Sequence, residues 1–452
     1  MKVIKFGGSS LASATQLEKV LNIVKSDPER RFVVVSAPGK RNDEDTKVTD
    51  ALIKYYKHYT KGVDVKADQE WIINRYQAMV DELGFKSTEM AKIAKSINDL
   101  ATLPIEDNDF LYDTFLAAGE DNNAKLIAEY FRNNDIEARY VHPRQAGIFV
   151  SSEPGNARIL PGAYDKLEEL RESDEVLVIP GFFGVTPDNQ ICTFSRGGSD
   201  ITGSIVSRAV HATSYENWTD VSGFLIADPR IIDNPEPIKI ITYRELRELS
   251  YMGASVLHED AVFPVRQAGI PINIRNTNAP EDEGTWIVES TCHHSAYTIT
   301  GIAGKKGFAS VNLEKDRMNT EIGFGRRVLS VFEENGLSFE HIPSGIDTMS
   351  VFVQQSDFEE KEQKILAGLH RNVDPDFLEI HSNIALIAVV GRGMKSTEGT
   401  AGKLFTALAK EDINIRMIDQ GSSELNIIIG VNEKDFEKAT KAIYHAFITV
   451  TH

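Results

Sequence analysis

From residue 1 to about residue 295, short apolar runs alternate with segments of helical period, which predicts an α/β domain on a mainly parallel sheet. The runs at 3–6, 32–36, 175–179, 191–194 and 270–275 read as strands. Between the first two, Leu17, Val20, Leu21 and Val24 recur at i, i+3, i+4 and i+7, the apolar stripe of a helix packed on a sheet. Residues 65–133 are strand-poor and mostly helical in pattern, and read as an inserted helical lobe.

Beyond residue 295 the elements shorten and the chain repeats itself. Met318, Leu337 and Ser338 return as Met394, Ile413 and Asn414, and Asp357-Phe358-Glu359 returns as Asp435-Phe436-Glu437. An apolar strand precedes each of the latter, at 349–353 and 425–431. Each copy reads strand, helix, strand, strand, helix, strand, the ferredoxin-like order. Neither copy carries catalytic-looking residues, so the pair reads as a regulatory module, with extra packing domains as the alternative.

Composition narrows the function classes. The chain has 452 residues, 41% hydrophobic and 26% charged, enough for several cores. Its 67 acidic against 49 basic side chains leave a net charge of −18, which disfavours nucleic acid and anionic membrane as partners. The two cysteines, Cys192 and Cys292, lie far apart and outside any zinc spacing, which suggests reduced thiols. The amino terminus reads directly as a strand, and no apolar run approaches a bilayer span, so a cytoplasmic location is expected.

Candidate chemistry gathers at strand-to-helix junctions. Lys5-Phe6-Gly7-Gly8-Ser9-Ser10 ends the first strand ahead of the amphipathic helix. There backbone N–H groups and a helix dipole can meet an anion while Lys5 neutralises phosphoryl oxygens. By itself it is equally a tight turn; it is neither a Walker A loop nor a dinucleotide fingerprint. Ser195-Arg196-Gly197-Gly198-Ser199-Asp200 sets an arginine fork beside a second glycine turn, and Ser199 or Asp200 also suits a helix N-cap. In an open α/β sheet both turns would border one crevice at the carboxyl ends of the strands. Gly119-Glu120 interrupts an apolar helix, and a glycine there hints at close approach by another group, although Glu120 by itself reads first as a solvated carboxylate on the helix's polar face. Trp218-Thr219-Asp220-Val221-Ser222-Gly223 and Asp228-Pro229-Arg230 read alone as turns.

Together with Val33-Val34-Val35-Ser36-Ala37-Pro38 and Met252-Gly253-Ala254-Ser255-Val256-Leu257-His258, these motifs in this order strongly resemble the aspartate kinases of the amino-acid kinase superfamily. The likeness spans essentially the whole chain. It implies an αβα sandwich with a mainly parallel sheet at 1–296, followed by two ferredoxin-like (βαββαβ) ACT domains at 297–383 and 384–452. It implies phosphorylation of the side-chain carboxylate of L-aspartate by ATP, with Mg2+ carried by the nucleotide. That reaction is the first step toward the aspartate-derived amino acids lysine, threonine and methionine.

Residue by residue, the resemblance makes Lys5 and Asp200 the catalytic pair. Lys5 contacts the transferring phosphate, and Asp200 organises the positive groups around it. It puts Thr49, Glu120, Arg196 and Ser199 on the substrate, Arg196 gripping the carboxylate and Glu120 the ammonium group. Gly7, Gly8, Ser9, Ser36, Thr219, Asp220, Arg230 and Ser255 fall on the phosphate and nucleotide side. Leu225 and Ser255 depart from the family there, standing where many members have a tyrosine and a lysine. The basic loop 39–47 offers substitute charge or is a solvated turn.

In the carboxyl-terminal half, Met318, Asn319, Thr320, Glu321, Gly323 and Phe324 match the turn where the family's effector amino acid sits. Ser338, Glu340 and Ser344 match the strand opposite. Loop 343–348 reads about two residues longer than in lysine-inhibited relatives, so the resemblance does not carry over the effector, and lysine, threonine, both or neither remain open. The resemblance further implies a homodimer or dimer of dimers through the ACT domains. Another amino-acid kinase is disfavoured by the paired repeat and the Ser195–Asp200 motif, and a silent amino-acid sensor by intact Lys5, Glu120, Arg196 and Asp200. Because the sequence ends right after the second repeat, no fused homoserine dehydrogenase is expected.

Overall fold

A computed structural model describes residues 1–105, 109–195, 197–254, 257, 259–291 and 297–448, with the backbone alone at 259 and 260. Its contacts divide the chain into two units. The first is Met1–Phe224, Lys239–Tyr243 and Val256–Thr291, and the second Leu225–Ile238, Arg244–Ser255 and Cys292–His452.

The first unit is built on an eight-stranded sheet in the order Ala138–Tyr140, Val176–Pro180, Arg30–Val35, Lys2–Phe6, Ser214–Thr219, Ile272–Asn276, Thr285–Val288, Ile240–Thr242. All neighbours are parallel except Ile272–Asn276 with Thr285–Val288. A parallel sheet is covered on both faces, and Val3, Ile4, Phe6, Val33, Val34 and Val35 are accordingly all fully buried. Ile4, Phe6, Val33 and Val35 share one core with Leu17, Val20, Leu21 and Val24 of the Ala14–Lys25 helix. The same core takes in Ile72, Tyr76, Ile93, Phe115 and Ile127 from helices Lys66–Leu83, Met90–Asp99 and Asp109–Arg132. The helices expected at 65–133 therefore form, but as a layer of the sheet's own core rather than a lobe apart.

Alternation along the central strand turns Lys5 to the opposite face, where helix Gly198–Ala209 packs on Lys2–Phe6, Arg30–Val35 and Ser214–Thr219. One expected strand departs from this plan. Ile191–Thr193 pairs antiparallel with Phe183–Val185 in a separate two-stranded ribbon, not in the main sheet. A four-residue apolar run carries no information about which partner it will find.

The second unit holds a five-stranded antiparallel sheet in the order Thr348–Gln354, Gly301–Glu314, Phe377–Val390, Asn426–Asn432, Ile415–Asp419. Met318 and Leu337 are buried in one repeat, and Met394 and Ile413 in the other, so the repeated positions are core positions. The chain order differs from two self-contained copies. Residues 301–305 pair with 386–390, so the strand beside the opening of the second repeat comes from ahead of the first. The strand expected to carry Ser338, Glu340 and Ser344 is reduced to isolated bridges, His341 with Phe352 and Ser344 with Met349. Pro343 between them has no N–H to donate. Among the described residues no helix is long and apolar enough to cross a membrane.

Candidate active site

Lys5 emerges on the face covered by helix Gly198–Ala209, and its Nζ lies 2.6 Å from Asp200 Oδ1. Both groups are mostly buried, so the attraction acts in a medium of lowered dielectric. Asn217, beside Lys5 in the parallel register, donates its Nδ2 hydrogen to the same oxygen at 2.8 Å. The Gly198–Ala209 helix is preceded by Gly197 at φ 77° and has no side-chain cap, so neither Ser199 nor Asp200 is its N-cap. Asp200 instead spends its carboxylate on Lys5 and Asn217, while Ser199 is buried.

The first glycine turn also differs in detail from expectation. Gly7 N–H donates to Trp218 O at 3.0 Å, and Gly8 O accepts from Gly39 N at 2.8 Å. The chain then makes a 3-10 turn at Ser9–Leu11, and the α-helix begins only at Ala14, capped by Ser13. A Cβ at Gly39 would stand 2.6 Å from Gly8 C, so these two backbones touch because neither residue has a side chain.

Gly8, Ser9, Ser36, Thr49, Glu120 and Asp220 line one cavity of about 500 Å³, with loop 38–43 as a further wall. Gly119 brings Glu120 there: a Cβ on Gly119 would lie 2.8 Å from Ala37 Cβ, so the helix can approach the Arg30–Val35 strand's end only without one. Glu120 is buried, and its Oε2 has no hydrogen-bond partner. Burial pushes its carboxyl up to about 8, opposed only in part by the backbone at Ala37 and at Glu120 itself. A carboxylate held this way calls for a cation.

Loop 39–47 is structured by its charges rather than presenting them freely. Arg41 pairs with Asp45 at 2.8 Å, and Lys40 Nζ donates to Asp43 O. Arg75, buried on the Lys66–Leu83 helix, lies 3.0 Å from Asp45 and donates Nη2 hydrogens to Ala12 O and Gly39 O, both at 2.9 Å. Arg41 foremost holds the Asp45 carboxyl well below the usual range.

At the end of strand Ser214–Thr219, Thr219 Oγ1 donates to Asp220 at 3.1 Å, and Asp220 reaches the cavity wall. Asp228, Arg230 and Leu225 belong to the second unit, where Arg230 is exposed and doubly bonded to Asp228. Arg196 and Ser255 lie outside the described residues, as does Cys292; Cys192 is buried, its thiol pushed up to about 11 by desolvation.

In the second unit, Met318 and Phe324 are buried and frame a turn whose Gly323 has φ 79°. Glu321 sits between Arg327, to which it is hydrogen-bonded, and Lys315 at 3.3 Å. Asn319 N–H donates to Ile346 O at 3.0 Å, tying the turn to loop 343–348. Thr320, Ser338 and Ser344 are exposed, and Glu340 accepts from Gln354 and Tyr251.

Sequence reasoning missed Asn217, Arg75 and Asp113. Asp113, two turns before Glu120 on one helix, accepts from Thr193 N at 2.6 Å and Gly155 N at 3.0 Å, anchoring the ribbon that leads into Ser195. An arginine on the buried stripe Ile72, Tyr76 and Met79 was an available signal, whereas Asn217 lies in a strand of mixed composition, Ser-Tyr-Glu-Asn-Trp-Thr, that gave none.

Among known proteins, the amino acid kinase family model matches residues 1–276, and an ACT domain model matches residues 387–447. Aspartokinase 3 of Bacillus subtilis is 45% identical over 448 residues, 99% of this chain and 98% of that protein. The crystal structure of Clostridium acetobutylicum aspartate kinase aligns over 99% of both chains, with TM-score 0.86 and 45% identity. E. coli aspartokinase III in complex with aspartate and ADP aligns over 99% of both chains with TM-score 0.71 at 24% identity, a likeness of fold.

Proposed function

Since the chain belongs to the aspartate kinase family of amino acid kinases, we propose that it transfers the γ-phosphoryl group of ATP to the side-chain carboxylate of L-aspartate, giving 4-phospho-L-aspartate. The observation that carries this reading is Glu120, a buried carboxyl with an unpartnered oxygen in the cavity that also holds the glycine turn. Glu120 receives the substrate's ammonium group, Arg196 grips its α-carboxylate, and Thr49 and Ser199 add hydroxyls. Lys5, Gly8, Ser9 and Ser36 meet the phosphates, while Gly7, whose amide is committed to Trp218, shapes the turn. Thr219, Asp220, Arg230 and Ser255 serve the nucleotide side.

The acceptor carboxylate is ionised near neutrality, so the transfer needs no general base. Positioning and stabilisation of the charge spread over the phosphoryl oxygens suffice for in-line attack. Lys5 supplies that charge, and Asp200 orients it. Mg2+ enters on the nucleotide phosphates.

The reading extends to regulation. Residues 1–296 form the catalytic domain, and 297–383 and 384–452 two ACT-like modules, the second completed by residues 301–305. The turn Met318–Phe324 binds lysine, threonine or both as end product of the pathway that this reaction opens; the Clostridium relative is an allosteric enzyme. The enzyme is cytoplasmic and forms a homodimer or dimer of dimers through these modules, so light scattering at micromolar concentration should find no monomer.

The test couples ADP formation to trapping of the acyl phosphate with hydroxylamine, with ATP, Mg2+ and L-aspartate, with and without millimolar lysine or threonine. Hydroxamate formation, suppressed by one of them, is the expected result. ADP without hydroxamate would overturn the acceptor assignment.

A further inference from the structure

Strand Ser214–Thr219 carries two buried polar residues in succession, Glu216 and Asn217. Glu216, on one face, is bonded to Arg30 Nε and Trp218 Nε1, both at 2.9 Å. Asn217, on the other, is 3% exposed and stands level with Lys5 in the parallel ladder. An amide in the middle of a buried strand is costly unless bonded, and asparagine is a poor strand former, so packing does not explain it. Its Nδ2 hydrogen goes to Asp200 Oδ1 at 2.8 Å, the same oxygen that lies 2.6 Å from Lys5 Nζ. Two residues earlier, and so on the same face, Tyr215 donates its hydroxyl hydrogen to Asp200 O at 3.2 Å. Asp200 is thus held at its main chain by Tyr215 and at its carboxylate by Asn217.

From this geometry we propose that Asn217 is a positioning residue for phosphoryl transfer. It fixes the rotamer of Asp200, and through it the ammonium group of Lys5, without touching substrate. The inference rests on the reading of Lys5 and Asp200 as the catalytic pair. Its physical basis is that a carboxylate anchored by a neutral donor cannot follow a flexible lysine, so the lysine is held where the carboxylate stands.

The test is a double-mutant cycle on the full chain, comparing Asn217→Leu, Asp200→Asn and the double variant by hydroxamate formation. Asn217→Leu should lower kcat by about 10- to 100-fold, the loss typical of a reacting group displaced by about 1 Å, while KM for L-aspartate stays within about threefold. In the Asp200→Asn background the same substitution should cost less than about twofold, because the group it acts through is already altered. A merely structural role would give equal losses in both backgrounds, and that result, or a kcat within about twofold of the parent for Asn217→Leu, overturns the proposal. Should the leucine variant fail to melt cooperatively, Asn217→Asp preserves the shape and replaces the donor with an acceptor; near-parent turnover there would equally overturn it. Near-parent turnover of Asp200→Asn itself would instead remove the assignment of the catalytic pair, a distinguishable failure.

Discussion

Replacing Glu120 by glutamine tests the substrate end of the site with a magnitude taken from its burial. The ligand-free carboxyl titrates at about 8, against 4.5 for an exposed glutamate, because burial penalises its charged form. At pH 7 only about a tenth of the molecules carry the charge that an ammonium group requires. Aspartate binding below pH 8 must therefore drive off a proton, and apparent affinity should rise about tenfold per pH unit between 6 and 7.5, levelling above about 8.5. Titration calorimetry in two buffers of different ionisation enthalpy counts that proton directly. Glu120→Gln should abolish both the slope and the proton release while weakening binding. Stability should move the other way. A group whose folded value is raised contributes its full stability below its unfolded value and loses it as pH climbs to the folded one. The glutamine variant should accordingly gain on the parent from near zero at about pH 4.5 to at most about 5 kcal/mol at pH 8. A pH-independent aspartate affinity in the parent, with no proton released, would refute the reasoning.

Three further outcomes follow from single contacts. Lys5→Ala should lower kcat by at least about a hundredfold with an intact melting curve, since on the proposed reading it removes both the partner of Asp200 and the charge offered to the transferred group; near-normal turnover would exclude that role. Gly119→Ala should destabilise the first unit by about 1–3 kcal/mol in urea and raise KM for aspartate, because the new methyl stands 2.8 Å from Ala37 Cβ; an unchanged midpoint would contradict the packing. Glu245 is fully buried in the second unit and accepts from Thr300 Oγ1 at 2.6 Å and Arg392 Nη1 at 2.9 Å, so Glu245→Ala should cost about 3–5 kcal/mol there, read as a shift of that unit's unfolding transition.

The alternation of strands and helices in residues 1–295, the repeat beyond it and the motifs that identify the family were all legible along the chain. These are local signals: period, glycine and proline placement, and runs of specific side chains. Lys5, Glu120 and Asp200 could be named as site residues only through the resemblance those motifs carry, since alone they read equally as a turn, a solvated carboxylate and a helix cap.

Partnership was decided only in three dimensions. A short apolar run does not say whether it joins the main sheet or, like Ile191–Thr193, a two-stranded ribbon. Nor does a repeat of 76 residues reveal that residues 301–305 will pair with 386–390, since strand pairing depends on contacts distant in sequence. The same holds for Asn217 and Arg75, each a single polar side chain whose meaning lies in what stands beside it. Asn217 faces Asp200 because parallel register sets it level with Lys5, and Arg75 reaches Gly39 because its helix shares the sheet's core. Spacing along the chain encodes which residues share a face; only packing of the faces decides which of them meet.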